Sequence, residues 1–136
     1  MSARILFTGS RRWTDYDLLK RVLVSVWTQL GCPPDLELVH GGARGADRMA
    51  AAIWSGLGLP VRTVPADWDR YGKPAGVIRN QQMVDLGGYV HAVAALLPGS
   101  RGTHDCVRRI ERAAIPLTIA TGDQPAVPVL PERRGI

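Results

Sequence analysis

The chain has 136 residues, which is room for one domain with a sheet between helices but not for a second. A hydrophobic share of 46% and a charged share of 21% exclude wholesale disorder, and no apolar run approaches membrane length. The formal net charge of +5 favours anionic partners such as nucleotides, nucleic acid or acidic surfaces, without choosing among them.

Residues 4–8 read as a buried strand through Ile5, Leu6 and Phe7, and Gly9, Ser10, Arg11 and Arg12 follow at once. No basic and apolar leader precedes this strand, so a cytosolic protein with reduced thiols is expected. Thr14 is placed to cap the next helix, in which Leu18, Leu19, Val22, Leu23, Val26, Trp27 and Leu30 recur at helical spacing until Gly31, Pro33 and Pro34 end the run. A second strand over 36–40 leads into the run Gly41, Gly42, Ala43, Arg44, Gly45, Ala46, Asp47 and an alanine-rich helix reaching Leu57. The third strand, 61–64, precedes a loop containing Asp67, Trp68, Tyr71, Gly72 and Lys73, and a helix begins near Pro74, a residue suited to a first turn. Residues 89–97 supply the fourth strand, 102–114 the fourth helix and 117–120 the fifth strand.

Strict alternation of strand and helix predicts βαβ units. The expected fold class is α/β, a single Rossmann-like three-layer domain over 1–121 with a mostly parallel sheet of about five strands. From Gly122 onward Pro125, Pro128 and Pro131 interrupt any periodicity, so 122–136 reads as an extended or mobile proline-rich tail. Cys32 and Cys106 form no CxxC pair and no Cys/His cluster, so neither a metal site nor a cofactor is expected.

In an open parallel sheet every strand-to-helix loop emerges at one edge, where a ligand crevice forms. Three of those loops combine glycine with arginine: Gly9, Ser10, Arg11 and Arg12; then the run from Gly41 to Asp47; then Pro98, Gly99, Ser100, Arg101, Gly102 and Thr103. Glycine lets backbone N–H groups approach a phosphate, the following helix adds free donors and a positive dipole end, and arginine adds bidentate pairing. Arg11, Arg44 and Arg101 are therefore expected around one crevice. No complete P-loop and no G-x-G-x-x-G after the first strand is present, which weakens ATPase and dehydrogenase readings.

Arg79 shares a helical stripe with Ala75, Met83 and Leu86, the side a helix usually buries. A guanidinium there needs either an internal carboxylate, such as Asp47 or Asp105, or a ligand phosphate or ribose. Asp47 and Asp105 sit near helix starts, where they either complement the dipole or accept ribose hydroxyls or act as a base. Trp68 and Tyr71 either stack on a nucleobase or pack on the domain. His40, His91 and His104 share no spacing and are assigned no ligand or catalytic role.

These motifs, with Ala66-Asp67-Trp68, Gly72-Lys73 and Arg79-Asn80-Gln81-Gln82-Met83, resemble the SLOG superfamily, a Rossmann-like group that joins the SMF DNA-processing proteins and the LOG phosphoribohydrolases, in particular its YspA-like branch. The resemblance implies a nucleotide-binding homo-oligomer. It also places Arg79 and Met83 on the R-K-x-x-M helix of LOG enzymes, and Pro98, Gly99, Gly102 and Thr103 on their P-G-G-x-G-T-x-x-E motif. Ser100 departs from that motif, and Cys106 stands where the catalytic glutamate belongs. Asp105 is one residue away, which at a helix start is a rotation of roughly 100°. The expectation is a sensor or sequestering protein for a nucleotide, an ADP-ribose-like ligand or a cyclic nucleotide. A hydrolase using Arg79 with Asp105 or Asp47, and a single-stranded DNA binder, are the alternatives.

Overall fold

The computed structural model describes residues 3–122; the proline-rich segment 123–136, expected as a tail, lies outside the described residues. In chain order the elements are β1 (Arg4–Gly9), α1 (Tyr16–Gln29), β2 (Glu37–His40), α2 (Ala46–Gly56), β3 (Val61–Thr63), α3 (Trp68–Tyr71), α4 (Ala75–Leu86), β4 (Tyr89–Leu96), α5 (Arg101–Arg112) and β5 (Leu117–Thr121). The five strands form one parallel sheet in the order β3-β2-β1-β4-β5. Among the described residues no helix is long and apolar enough to cross a membrane.

The period of two along β1 distributes the core. Ile5 and Phe7 face one side, packed with Leu19, Leu23 and Val26 of α1 and Ala50, Ile53 and Trp54 of α2. Leu6 faces the other side, with Met83 of α4 and Cys106 and Ile110 of α5. Helices thus cover both faces, which is why β1 and β4 read as near-continuous apolar runs.

Local chemistry moves several boundaries. Asp15, not Thr14, caps α1: its carboxylate accepts the Leu18 N–H at 3.0 Å and adds a negative charge at the dipole's positive end. Asp67 caps the short helix α3, which the sequence reading treats as loop, by accepting the Arg70 N–H at 3.1 Å. Leu86, expected on the buried stripe of α4, is exposed at the helix end, whereas Ala75 and Met83 are buried.

Three of the four tryptophans are held by backbone carbonyls. Trp13 donates to Asp15 at 2.9 Å, Trp27 to Pro33 at 3.0 Å and Trp54 to Leu36 at 2.9 Å. Trp54 is fully buried between α2 and the end of the α1–β2 connection. Trp54→Ala is expected to cost about 3–5 kcal/mol, because it opens a cavity and orphans the Leu36 carbonyl. Denaturant unfolding monitored by far-UV circular dichroism measures it.

Candidate functional site

β1 pairs with β2 on one side and β4 on the other, all parallel, so the order in which strands are added to the sheet reverses between β1 and β4. Loops leaving their carboxyl ends therefore diverge onto opposite faces and open a crevice. A cavity of about 690 Å³ lies there. Gly9, Ser10, Arg11 and Arg12 form one wall; Pro98, Gly99, Ser100, Arg101, Gly102 and Thr103 form another; Ala43 and Asp47 come from the β2–α2 side, and Trp68, Lys73, Gly76, Val77, Arg79, Asn80 and Met83 from the α3–α4 side. Among the described residues, five cationic side chains and a single carboxylate line it, so its field favours an anion.

The two principal loops are tied by hydroxyls. Ser10 Oγ accepts the Leu97 N–H at 2.9 Å and lies 2.5 Å from Ser100 Oγ. Ser100 occupies the N-cap of α5, yet its hydroxyl is turned to Ser10 and makes no capping bond. The first turn of α5 is therefore left without a side-chain cap at the cavity, where free N–H groups and the positive dipole end suit a phosphate.

Three glycines serve approach of protein to protein. A Cβ on Gly9 would lie 2.4 Å from Ala46 Cβ, and one on Gly45, whose φ is +81°, would lie 2.2 Å from the Arg11 carbonyl oxygen. At Gly41 a Cβ would lie 2.2 Å from Arg79 Nη1, because the guanidinium rests on that glycine. Arg79 Nη1 donates to the Gly41 carbonyl at 2.6 Å and Nε donates to Asn80 Oδ1 at 3.1 Å. No carboxylate pairs with Arg79 among the described residues, so of the two alternatives the internal salt bridge is not formed; backbone carbonyls orient the cation without neutralising it.

Asn80 extends this chain of contacts, donating to the Gly102 carbonyl at 3.1 Å and to Asp105 Oδ2 at 3.0 Å. Asp105 also takes two bonds from Arg109, at 2.8 and 3.3 Å, and stands 3.6 Å from Arg108. Although partial burial opposes it, these donors hold its carboxyl below the ordinary aspartate range. Asp105 does not line the cavity. Cys106 is 0% exposed in the core beneath α5, and burial pushes its thiol up to about 11 despite the Thr8 hydroxyl beside it, so it stays neutral.

Asp47 is the buried carboxylate of the cavity wall, 4% exposed. Its Oδ2 accepts the N–H groups of Gly41 at 3.1 Å and Ala43 at 3.2 Å, folding the β2–α2 loop over the start of α2. Among the described residues its Oδ1 has no hydrogen-bond partner. Burial raises the carboxyl to about 6, against the pull of the Ala43 amide, Arg79, and the Gly41 and Gly9 amides. His40 supports the same loop: Nδ1 accepts the Gly42 N–H at 3.0 Å, which leaves the ring proton on Nε2, 3.0 Å from Thr63 Oγ1. Burial, then Arg79, lowers its basicity, so the ring is neutral.

Of the residues assigned to ligand from sequence, Gly41, Gly42, Arg44, Gly45 and Asp67 do not line the cavity. Arg44 is exposed elsewhere on its loop, so the arginines of the three loops do not all converge. Thr8, Arg12, Gly76, Val77, Met83 and Leu97 line it without having been assigned. Their signal was present in part: Arg12 adjoins Arg11, and Gly76, Val77 and Asn80 follow Lys73 at three, four and seven residues, one face of a helix. Trp68 is 50% exposed at the mouth, and the indole ring rests over Gly76. Tyr71 instead stacks under the Arg70 guanidinium, 5.2 Å from its ring centre.

Fold and cleft define a Rossmann-like α/β protein with a basic pocket at the switch point of its sheet. The family model of the YspA, cpYpsA-related SLOG family matches residues 3–71. The Gene 61 protein of Mycobacterium phage D29 is 40% identical over 132 residues, covering 90% of this chain and 98% of that protein. The chain belongs to the YspA, cpYpsA-related SLOG family.

Two outcomes follow from this geometry. The folded-state carboxyl of Asp47 is raised, so its contribution to stability is present below the unfolded value of 3.8 and lost as pH rises through about 6. An Asn at 47 keeps an acceptor for both amides and carries no charge, so between pH 4 and pH 8 Asp47→Asn gains about 2 kcal/mol relative to the wild type in paired denaturant titrations. Gly41→Ala displaces the end of Arg79 rather than backbone, and is expected to cost about 1–2 kcal/mol by the same measurement.

Proposed function

We propose that the protein binds a nucleotide or nucleotide derivative as a sensor or sequestering protein. The observation that carries this reading is the cavity at the β1–β4 switch point, with its uncapped helix start, five cations and half-exposed indole. A phosphate fits the wall where Ser10 and Ser100 join the two loops, with Arg11, Arg12 and Arg101 around it. A nucleobase fits the apolar side formed by Trp68, Gly76 and Val77. A volume of about 690 Å³ is in the range of small-molecule sites.

The same geometry lacks a free carboxylate at the LOG glutamate position, which favours binding without cleavage of the LOG kind. Breaking an N-glycosidic bond develops positive charge on the sugar and profits from a nearby carboxylate. The residue at the LOG glutamate position, Cys106, is neutral and buried, and Asp105 is engaged by Asn80, Arg108 and Arg109. Calorimetry against AMP, GMP, CMP, UMP and ADP-ribose, with chromatography for free base, tests both halves. Saturable binding with no base released above background is expected. No binding removes the nucleotide reading, and base release moves Asp47 into the catalytic role.

Trp68 provides a separate check, since it is half exposed and no hydrogen bond holds its indole among the described residues. Trp68→Ala is expected to weaken nucleotide binding by about 1–3 kcal/mol while leaving the unfolding midpoint unchanged. Calorimetry and thermal melts on the same preparation read the two quantities.

A further inference from the structure

Asp47 carries one oxygen more than the loop requires. Its Oδ2 alone receives the amides of Gly41 and Ala43, and an asparagine would hold them equally well without burying a charge. The remaining oxygen, Oδ1, is buried in a residue of the cavity wall and has no partner among the described residues. A buried acceptor left unsatisfied is costly, and an ionised carboxylate is acceptor-only, so whatever completes it must be a donor. Ionised phosphate oxygens donate nothing, which excludes the anionic part of a ligand. The sugar hydroxyls and base amino groups of a nucleotide remain.

Placement separates these two. Gly9, next to Ser10, packs against Ala46, the residue before Asp47, and Arg79 of α4 bonds the carbonyl of Gly41, whose amide Asp47 holds, so Asp47 lies between the hydroxyl-linked loops and the helix that carries Gly76 and Val77. In a nucleotide the sugar occupies the corresponding position, between phosphate and base.

We propose that Asp47 Oδ1 accepts a hydrogen bond from a ribose hydroxyl, making Asp47 the residue by which the cavity selects ribonucleotides over their deoxy counterparts. This rests on the nucleotide reading above. A site built to bond a hydroxyl rejects the analogue that lacks it, because its own buried group is left unpaired.

The test compares AMP, GMP, CMP and UMP with their 2′-deoxy and 3′-deoxy forms, by calorimetry on wild type and Asp47→Asn. The wild type is expected to bind at least one ribonucleotide about ten-fold or more tightly than one of its deoxy forms. Asp47→Asn is expected to lose about ten-fold in affinity for the ribonucleotide and to bind it and the deoxy form alike, the coupling that a purely structural role would not produce. Equal wild-type affinity for ribo and deoxy forms overturns the proposal even if Asp47→Asn binds weakly, since the acceptor then serves a base amino group or the loop. A discrimination that persists in Asp47→Asn overturns it as well. Failure of the wild type to bind any of the four overturns the nucleotide reading itself, and this inference with it.

Discussion

A parallel sheet that grows outward from its first strand in both directions must split at that strand, and the position of the cavity follows from this constraint. β1 is paired on both edges, to β2 and to β4. The loop after β1 turns to the face of α1 and α2, and the loop after β4 to the face of α4 and α5. Neither can fill the space between them, and what remains is a cleft bounded by two helix starts.

Backbone atoms do most of the work of holding that cleft in shape. Arg79 is seated by the Gly41 carbonyl, Asp47 by the Gly41 and Ala43 amides, His40 by the Gly42 amide and Asn80 by the Gly102 carbonyl. Each of these side chains reaches from one element to the backbone of a loop or, for Asn80, of the first turn of α5, so the β2–α2 loop, α4 and the start of α5 are tied together. Asp47 and Arg79 are near enough to influence each other, yet among the described residues no ion pair joins them, and both residues line the cavity.

The fold was legible in the sequence because its information is local and periodic: alternating strand and helix patterns, punctuated by Gly31, Pro33, Pro34 and Pro74, admit few other arrangements. α3 escaped notice because four residues cannot display a helical period, although Asp67 marked its cap. In the candidate site the residue types were readable but their partners were not. A glycine that admits a phosphate and a glycine that admits a guanidinium look identical in sequence, so Gly41 and Gly45 were assigned to ligand when their space is taken by Arg79 and Arg11. For Arg79 the sequence offers a carboxylate or a ligand as partner but not the Gly41 carbonyl, because a main-chain carbonyl leaves no letter in the sequence. The unpartnered oxygen of Asp47 belongs to the same class of fact, visible only once every neighbour is placed.

The frame and the contact surface of the cleft are made of different atoms. Gly9 against Ala46, Gly45 against Arg11 and the Ser10–Ser100 pair fix the loops through close packing and short hydroxyl contacts. Arg11, Arg12, Trp68, Lys73 and Arg101 project from that frame with exposed side chains. Exchange at these five positions leaves the frame's contacts in place, so the lining of the cleft can change at little cost to folding. The shape of the cleft and the chemistry of its rim are therefore written in separate residues, and a change in one need not signal a change in the other.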